Sequence, residues 1–445
     1  MKVKIFFKYV IPTILAMWVF SIYTLVDGLF VSHFVGPEAF AAVNLSMPVN
    51  NTLFSFGILI SVGTSTRIGI CLGQGKIDKA NEIFSSAIFI SGILALLTSL
   101  LLLIFIHPLA SFLGARGPMH QMVVHYLSWV LPFTFFFILS YIFEVLVKVD
   151  GVPILSTIGV LSSAITNIFL DYLFIRHFGW DIQGAAFATG LAQMLSFFIF
   201  LSHFLKKKGR LKILRIKPKL ASLTSAARIG FGDFLTELSY GAILFFFNRS
   251  LLSIYGEVGL ISYTVINYLS LLLTMTMSGI TQGCQPLFSV FYGKEDPRSI
   301  RKIFRLALLS VLVASLLFFI PAQLIPDRLI SLFISPKNTE AFALTHYALR
   351  LYSTAYLFLG YNIFVGGMMA ALNQPRFGIL ISFSRGFLFI LLSLALFKSL
   401  APSKIWLAAT TSEVLTLLLT LFSLWKVNKL SQEAFNERMW PHDSK

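Results

Sequence analysis

The sequence predicts an all-α polytopic membrane protein, with twelve transmembrane helices in two pseudo-symmetric six-helix lobes around a central cavity. Three observations predict it. The chain is 57% hydrophobic and only 12% charged, with a mean hydropathy of +0.82, whereas a soluble globular domain carries about 25% charged residues. Apolar runs of the roughly 20 residues that a spanning helix needs recur along all 445 residues. Landmarks of the first half return about 220 residues later. The runs are continuously apolar rather than alternating, which argues against a closed barrel.

The spans follow in order. The first, 10–32, comes after Lys2, Lys4 and Lys8; it is long and has no small-residue cleavage site, so it reads as a retained helix and not a cleaved signal. Span 49–72 ends before Lys76 and Lys79, and span 84–106 follows the stretch Gly75 to Phe84. Span 127–149 carries Glu144, and span 158–176 is entered through Asp150-Gly-Val-Pro153 and carries Asn167 and Asp171. Span 185–206 leads into the basic stretch 206–219. Spans 227–254 and 262–284 precede Lys294, Arg298, Arg301 and Lys302. Spans 303–325, 345–372, 378–400 and 404–426 complete the set, ahead of Lys426 and Lys429.

Phe84 and Phe304, each closing a similar approach segment, are 220 residues apart, and Pro153 and Pro375 are 222 apart. Near-equal offsets at two landmarks imply a duplicated six-span unit. An even number of spans per unit makes it a parallel repeat, the kind that encloses a central site and works by rocking. The expected division is a first lobe at 1–210, a basic linker at 211–226, a second lobe at 227–430 and a tail at 431–445.

The net charge of +16 is unevenly spread. Lys and Arg cluster at the amino end, after even-numbered spans and at the tail; the opposite loops are sparse, as with His33 and Glu38, Arg116, Arg176 and Asp181, and Glu257. The positive-inside rule then places both termini in the cytoplasm. The basic stretches are topogenic rather than nucleic-acid patches. Cys71 and Cys284 show no zinc or redox spacing and read as buried thiols.

Asn167 and Asp171 are four residues apart and share a helix face. Asp27 lies in the first span. Ionisable groups in lipid face a bundle interior or a watery cavity and mark ion or proton pathways. Two carboxylates in a low-dielectric site do not both ionise cheaply, so these residues point to cation-driven transport.

Many short motifs, in order, resemble the multidrug and toxic compound extrusion (MATE) family. They are Pro12, Val26-Asp27-Gly-Leu-Phe30, Gly36 with Ala41-Ala42, Gly73-Gln-Gly75, Asp150-Gly-Val-Pro153, Asn167 to Phe174, Gly184-Ala-Ala186 and Ala188-Thr189. In the second half they are Phe234-Leu-Thr-Glu237, Asn248, Ile266-Asn267-Tyr268 and Gly279-Ile-Thr-Gln-Gly283 with Gln285-Pro286. The resemblance covers nearly the whole chain, and the second half is most similar to small bacterial multidrug exporters. It implies a cation site in the first lobe at Asp27, Asn167, Asp171 and Thr189, whose oxygens suit H+ or Na+. It implies no cofactor and no enzymatic activity. It also implies export of amphipathic organic cations by antiport, from a monomer in the inner membrane of a cell. The second lobe departs from some relatives: Asn248 stands where Asp27 repeats, Ser393 where Asp171 repeats, and Asn362 where one branch has a carboxylate. Glu237 matches an acidic position and is expected to hold cationic substrate or a proton.

Glu144 reads either as a further cation ligand or as the i,i+4 partner of Lys148, with the spacing favouring the pair. Glu413 reads as a packing residue, and Arg385 as reaching the cavity or snorkelling toward the cytoplasm. Trp18 and Tyr23 share a run with Asp27 and are candidate substrate aromatics. His33, His107 and His120 lack metal spacing. A lipid-linked sugar flippase is the alternative, disfavoured because the spans hold more carboxylate than central Arg or Lys. An aspartyl protease dyad lacks any second motif.

Overall fold

A computed structural model describes residues 3–206 and 209–435, with side chains described through residue 428. Lys2, Lys207, Lys208, the side chain of Lys429 and the tail from residue 436 lie outside the described residues. Among the described residues the secondary structure is helical, without strands.

Among the described residues eleven helical segments are long and apolar enough to cross a membrane, and one of them, Leu220–Gly293, is two helices merged across Gly256 (φ 61°, ψ −146°). That makes twelve: α1 Val3–Val35, α2 Pro37–Gly73, α3 Ile77–Ile104, α4 Pro118–Val149, α5 Pro153–His177, α6 Ile182–Leu205, α7 220–255, α8 257–293, α9 Pro297–Leu324, α10 Thr339–Ala371, α11 Pro375–Leu400 and α12 Pro402–Asn428. Each overlaps one expected apolar run, and four of those runs reach one or two residues past the helix end. The helices outrun those runs because hydrogen bonding continues past the apolar stretch; α4 starts nine residues before its run, at Pro118. Six of them open on proline, where the missing N–H is one the first turn leaves unpaired anyway.

The duplication appears in the backbone. After α2, Gly75 N–H donates to Leu72 O and Lys76 N–H to Cys71 O; after α8, Glu295 N–H donates to Tyr292 O and Asp296 N–H to Phe291 O. The same two-bond stop, a Schellman motif, ends α4 (Gly151 to Lys148, Val152 to Val147) and α10 (Asn373 to Ala370, Gln374 to Met369). The left-handed residue of each stop is Gly75 (φ 74°) and Gly151 (φ 99°) in the first half, and Glu295 (φ 54°) and Asn373 (φ 57°) in the second. A short 3₁₀ turn interrupts α4 at Leu131–Phe133 and α10 at Ser353–Ala355, again 222 residues on. Pro132 accounts for the first break; the second keeps the geometry without proline.

Contacts group the chain into two compact units: Leu15–Gly230, and Met1–Ile14 with Phe231–Lys445. The division differs from one drawn through the basic linker. The first turns of α1 pack in the unit of the second half. There Gly279 and Gly283 of α8 let the helices meet at backbone distance, since a Cβ on Gly279 would lie 2.7 Å from Ile14 Cα and one on Gly283 2.9 Å from Val10 Cα. The first turns of α7 pack in the unit of the first half. A Cβ on Gly63 of α2 would fall on the Ala226 carbonyl, and one on Gly230 would fall on the Leu59 carbonyl. Small residues four apart allow this in a membrane, where packing rather than water exclusion drives association.

The first unit has two apolar clusters, one built around Ile68, Phe84, Phe143 and Phe204 and the other around Val31, Ala42, Leu127 and Ala186. The second unit has one, running from Phe6 and Val10 to Phe288, Phe364 and Trp406.

Gly63→Ala should therefore destabilise the protein by about 1–3 kcal/mol, the usual range for forced overpacking, read as a lower thermal midpoint in detergent. An unchanged midpoint would contradict the close approach of α2 and α7.

Candidate functional site

The four residues expected at the first-unit site come together. Asp171 is fully buried and Asn167 1% exposed, one turn apart on α5; Asp27 of α1 is 8% exposed. Asn167 Nδ2 donates to Thr189 Oγ1 of α6 at 3.3 Å. The Asp27 and Asp171 carboxyl groups lie within hydrogen-bonding reach of each other. Immediately after Asp171 the helix widens into a π turn, Tyr172–His177, a local irregularity frequent at functional positions.

What defines the site is a surplus of acceptors. Asp27 Oδ1, Asn167 Oδ1 and both Asp171 oxygens are buried with no hydrogen-bond partner among the described residues. Ionised carboxylates and an amide oxygen only accept, so this group is completed by a proton, a cation or a hydrogen-bond donor. Among the described residues no cluster of three or more His, Cys, Asp or Glu is present. The donor set is two carboxylates, an amide and a hydroxyl, which fits a proton or a hard monovalent ion rather than a transition metal.

Tyr23, the candidate aromatic one turn before Asp27, is buried, and its hydroxyl lies within reach of Gln193. Sequence reasoning missed the other residues around it. Gln193 Oε1 accepts from Ser140 Oγ at 3.0 Å. Asn50 Nδ2 donates to the Tyr126 hydroxyl at 3.4 Å, and Tyr126 is close enough to feel the charge of Asp27. Gln193 was findable, one turn beyond Thr189 on the same face; Asn50, Tyr126 and Ser140 carry no such signal. Phe20, Tyr23, Phe54 and Tyr141 form an aromatic cluster, with Phe20 stacked on Phe54 at 5.6 Å and Phe54 edge-on to Tyr141 at 4.8 Å. Trp18 is half-buried. It lies about 13 Å from Asp27 along the helix at 1.5 Å per residue, outside the carboxylate pair's immediate shell.

Glu144 makes an ion pair with Lys148 at 2.9 Å, both side chains buried. In the second unit Glu237 is half-buried, one turn from Asp233. Asp233 Oδ1 accepts from Gln285 Nε2 at 2.9 Å, while its Oδ2 is buried without a partner among the described residues. Asn248 lies about 16 Å further along α7 than Glu237 and does not join that pair. Ser393 is buried, its hydroxyl unpartnered among the described residues.

Asn362 is engaged in a buried network. It donates to the Glu413 carboxylate at 2.7 Å and carbonyl at 2.9 Å, and accepts from Thr420 at 3.0 Å. Arg385 Nε donates to Glu413 Oε1 at 2.8 Å, with Arg385 4% exposed. Of the two expectations for Arg385, snorkelling is corrected here: its guanidinium stays inside, because Glu413 of α12 supplies the charge that a retreat to the interface would otherwise provide.

Comparison with known proteins supplies the context. A family model described as MatE matches twice, over residues 12–173 and 233–394. The Multidrug export protein MepA of Staphylococcus haemolyticus (strain JCSC1435) is 26% identical over 386 residues, covering 85% of this chain and 84% of the relative. The MepA protein of Staphylococcus aureus (strain MW2) is 26% identical over 390 residues, 86% of each. A MATE protein crystallised in complex with MaL6 superposes with TM-score 0.90 at 22% identity, over 96% of this chain and 97% of that one. An outward-facing multidrug resistance MATE transporter of the MOP superfamily gives 0.89 at 21%, over 96% of each. At these identities the structural likeness is one of fold.

The Arg385–Glu413 pair makes a checkable claim. Arg385→Met should lower stability by about 3–5 kcal/mol, because a buried carboxylate is left alone. The double change Arg385→Met with Glu413→Leu should recover roughly half of that or more. Denaturant or thermal unfolding of the purified protein measures both, and a double variant no better than the single would contradict the pairing.

Proposed function

The chain belongs to the MatE family, and from that premise we propose that it is a secondary antiporter that expels amphipathic, mostly cationic compounds in exchange for an inward proton or sodium ion. The supporting observation is the acceptor-only group around Asp27 and Asp171. One proton turns one carboxyl into a donor for its neighbour; one Na+ takes oxygens from both. Either event removes net negative charge from the first unit. An organic cation draws on that same charge, so ion and substrate oppose each other through one thermodynamic coupling, reciprocal in both directions. Alternating exposure by rocking of parallel repeats then turns competition into exchange.

The aromatic cluster of Phe20, Tyr23, Phe54 and Tyr141 supplies ring faces that attract organic cations. Among the described residues the two buried basic groups, Lys148 at the end of α4 and Arg385 within α11, are already paired, with Glu144 and Glu413. Neither is free for a pyrophosphate, which tells against a lipid-linked sugar as cargo. Glu237 with Asp233 supplies a second acidic place for a cation. We further propose the inner membrane as location, with both termini cytoplasmic, following the distribution of Lys and Arg. Both six-helix halves lie in one chain, which supports a working monomer.

Two measurements test this. In proteoliposomes, a fluorescent organic cation should move when a proton or a sodium gradient is imposed, and Asp27→Asn should abolish that movement while leaving the protein folded. Full coupled transport by Asp27→Asn would overturn the mechanism. At equilibrium, dye binding to the purified protein should weaken as pH falls if the ion is a proton, by up to about tenfold per pH unit where one proton competes. Asp27→Asn should flatten that dependence.

A further inference from the structure

The segment between the two halves is a strap fixed in place by the first unit. Asp150, at the end of α4, accepts from the backbone N–H of Arg210 at 2.7 Å and of Leu211 at 3.1 Å through Oδ1. Its Oδ2 meets His203 Nε2 at 2.8 Å. Lys212 N–H donates to Asn81 Oδ1 at 2.8 Å and Leu214 N–H to Ser85 Oγ at 2.8 Å, both on α3. Lys219 N–H reaches Ser86 Oγ at 3.4 Å, and its ammonium pairs with Glu82. Leu211 is fully buried, and a Cβ on Gly209 would fall on the Asp150 carboxylate. The chain here is not helical, so its N–H groups need partners, and side chains of α3 and α4 provide them.

Because backbone groups do the anchoring, the basic side chains are left over. Arg210, Lys212, Arg215 and Lys217 are exposed, with exposed Ile213 (44%) and Leu214 (38%) between them. Lys76 and Lys79, in the adjoining turn and first turn of α3, are exposed as well. The depth of the strap matters. Ser85 is two turns into α3, and Ser85, Phe89, Leu96 and Leu100 share one stripe of that helix. The last three are 56%, 56% and 57% exposed, as lipid-facing residues are. The strap therefore lies directly at the end of a lipid-facing apolar stripe, where phospholipid headgroups begin.

We infer that the strap 209–219 is a binding surface for anionic phospholipid headgroups, with Arg210, Lys212, Arg215 and Lys217 as the phosphate-facing cations and Ile213 and Leu214 inserted between headgroups. Topogenic charge alone needs only a basic loop; this loop is held in one conformation by four acceptor residues, which fixes its charges at headgroup level. Basic residues near an anionic leaflet attract it at short range and lose that attraction in salt.

The test uses the full chain in proteoliposomes with spin-labelled phosphatidylglycerol or phosphatidylcholine, reading the fraction of each label immobilised by the protein. Phosphatidylglycerol should be preferred by about twofold or more at low salt, and the preference should shrink in 0.5 M salt at roughly a 4 Å screening length. Lys212→Gln with Arg215→Gln and Lys217→Gln should remove most of it. Because losing charge can disturb insertion, a second variant keeps every charge: Asn81→Ala with Ser85→Ala releases two anchors and should lower the preference as well. Equal immobilisation of the two lipids, or a preference unchanged by the charge variant, overturns the inference. A preference lost with the charges but untouched by release of the anchors overturns the fixed geometry and leaves an ordinary basic loop.

Discussion

The buried charges among the described residues are governed by the expense of an unpaired ion in a low-dielectric interior. Glu144 meets Lys148 one turn away, and Arg385 meets Glu413 across two helices. Those groups are neutral as pairs and tie α4 to itself and α11 to α12. Asp27, Asp171 and Asp233 receive no cation from the described residues around them. A carboxylate that the fold leaves uncompensated favours a proton or a mobile cation, which is the basis of the coupling proposed above. The same rule thus separates the ionisable residues that hold helices together from those proposed to take the coupling ion or substrate.

The pattern of apolar runs made the twelve helices legible, because a span has to be continuously apolar and few other structures do. The pairing of Asn167 with Asp171 was legible from helical spacing alone, and Glu144 with Lys148 likewise. What was hidden involves contacts between segments distant in sequence. Nothing local to Asn50, Tyr126 or Ser140 announces a place near Asp27, since isolated Asn, Tyr and Ser are common in spans. Arg385 misled for a related reason: its partner lies 28 residues away on another helix, beyond any periodicity. The first turns of α1 and α7 carry no pattern that assigns them to either unit, so their choice of unit depended on which glycines would receive them.

The repeated helix stops show how duplication preserves geometry while residues drift. Gly75 and Gly151 became Glu295 and Asn373 at the matching stops, and the left-handed backbone survived. Asparagine tolerates that region well; glutamate does so at some strain. Two hydrogen bonds per stop and a proline or capping aspartate opening the next helix evidently outweigh that strain. The candidate site drifted more freely: the positions matching the acidic pair of the first half hold Asn248 and Ser393 in the second.

The seating of α1 on α8 has a consequence for synthesis. The glycines that receive Val10 and Ile14 are translated roughly 270 residues later, which at 5–20 residues per second is about 15–50 s after the first helix leaves the ribosome. During that interval the opening turns of the nascent protein have only lipid or the insertion machinery for company. The first half, in turn, is closed by residues 220–230, made at the start of the second. Neither half is a finished product by itself, so a gene cut at the linker would yield two fragments that each lack a piece held by the other.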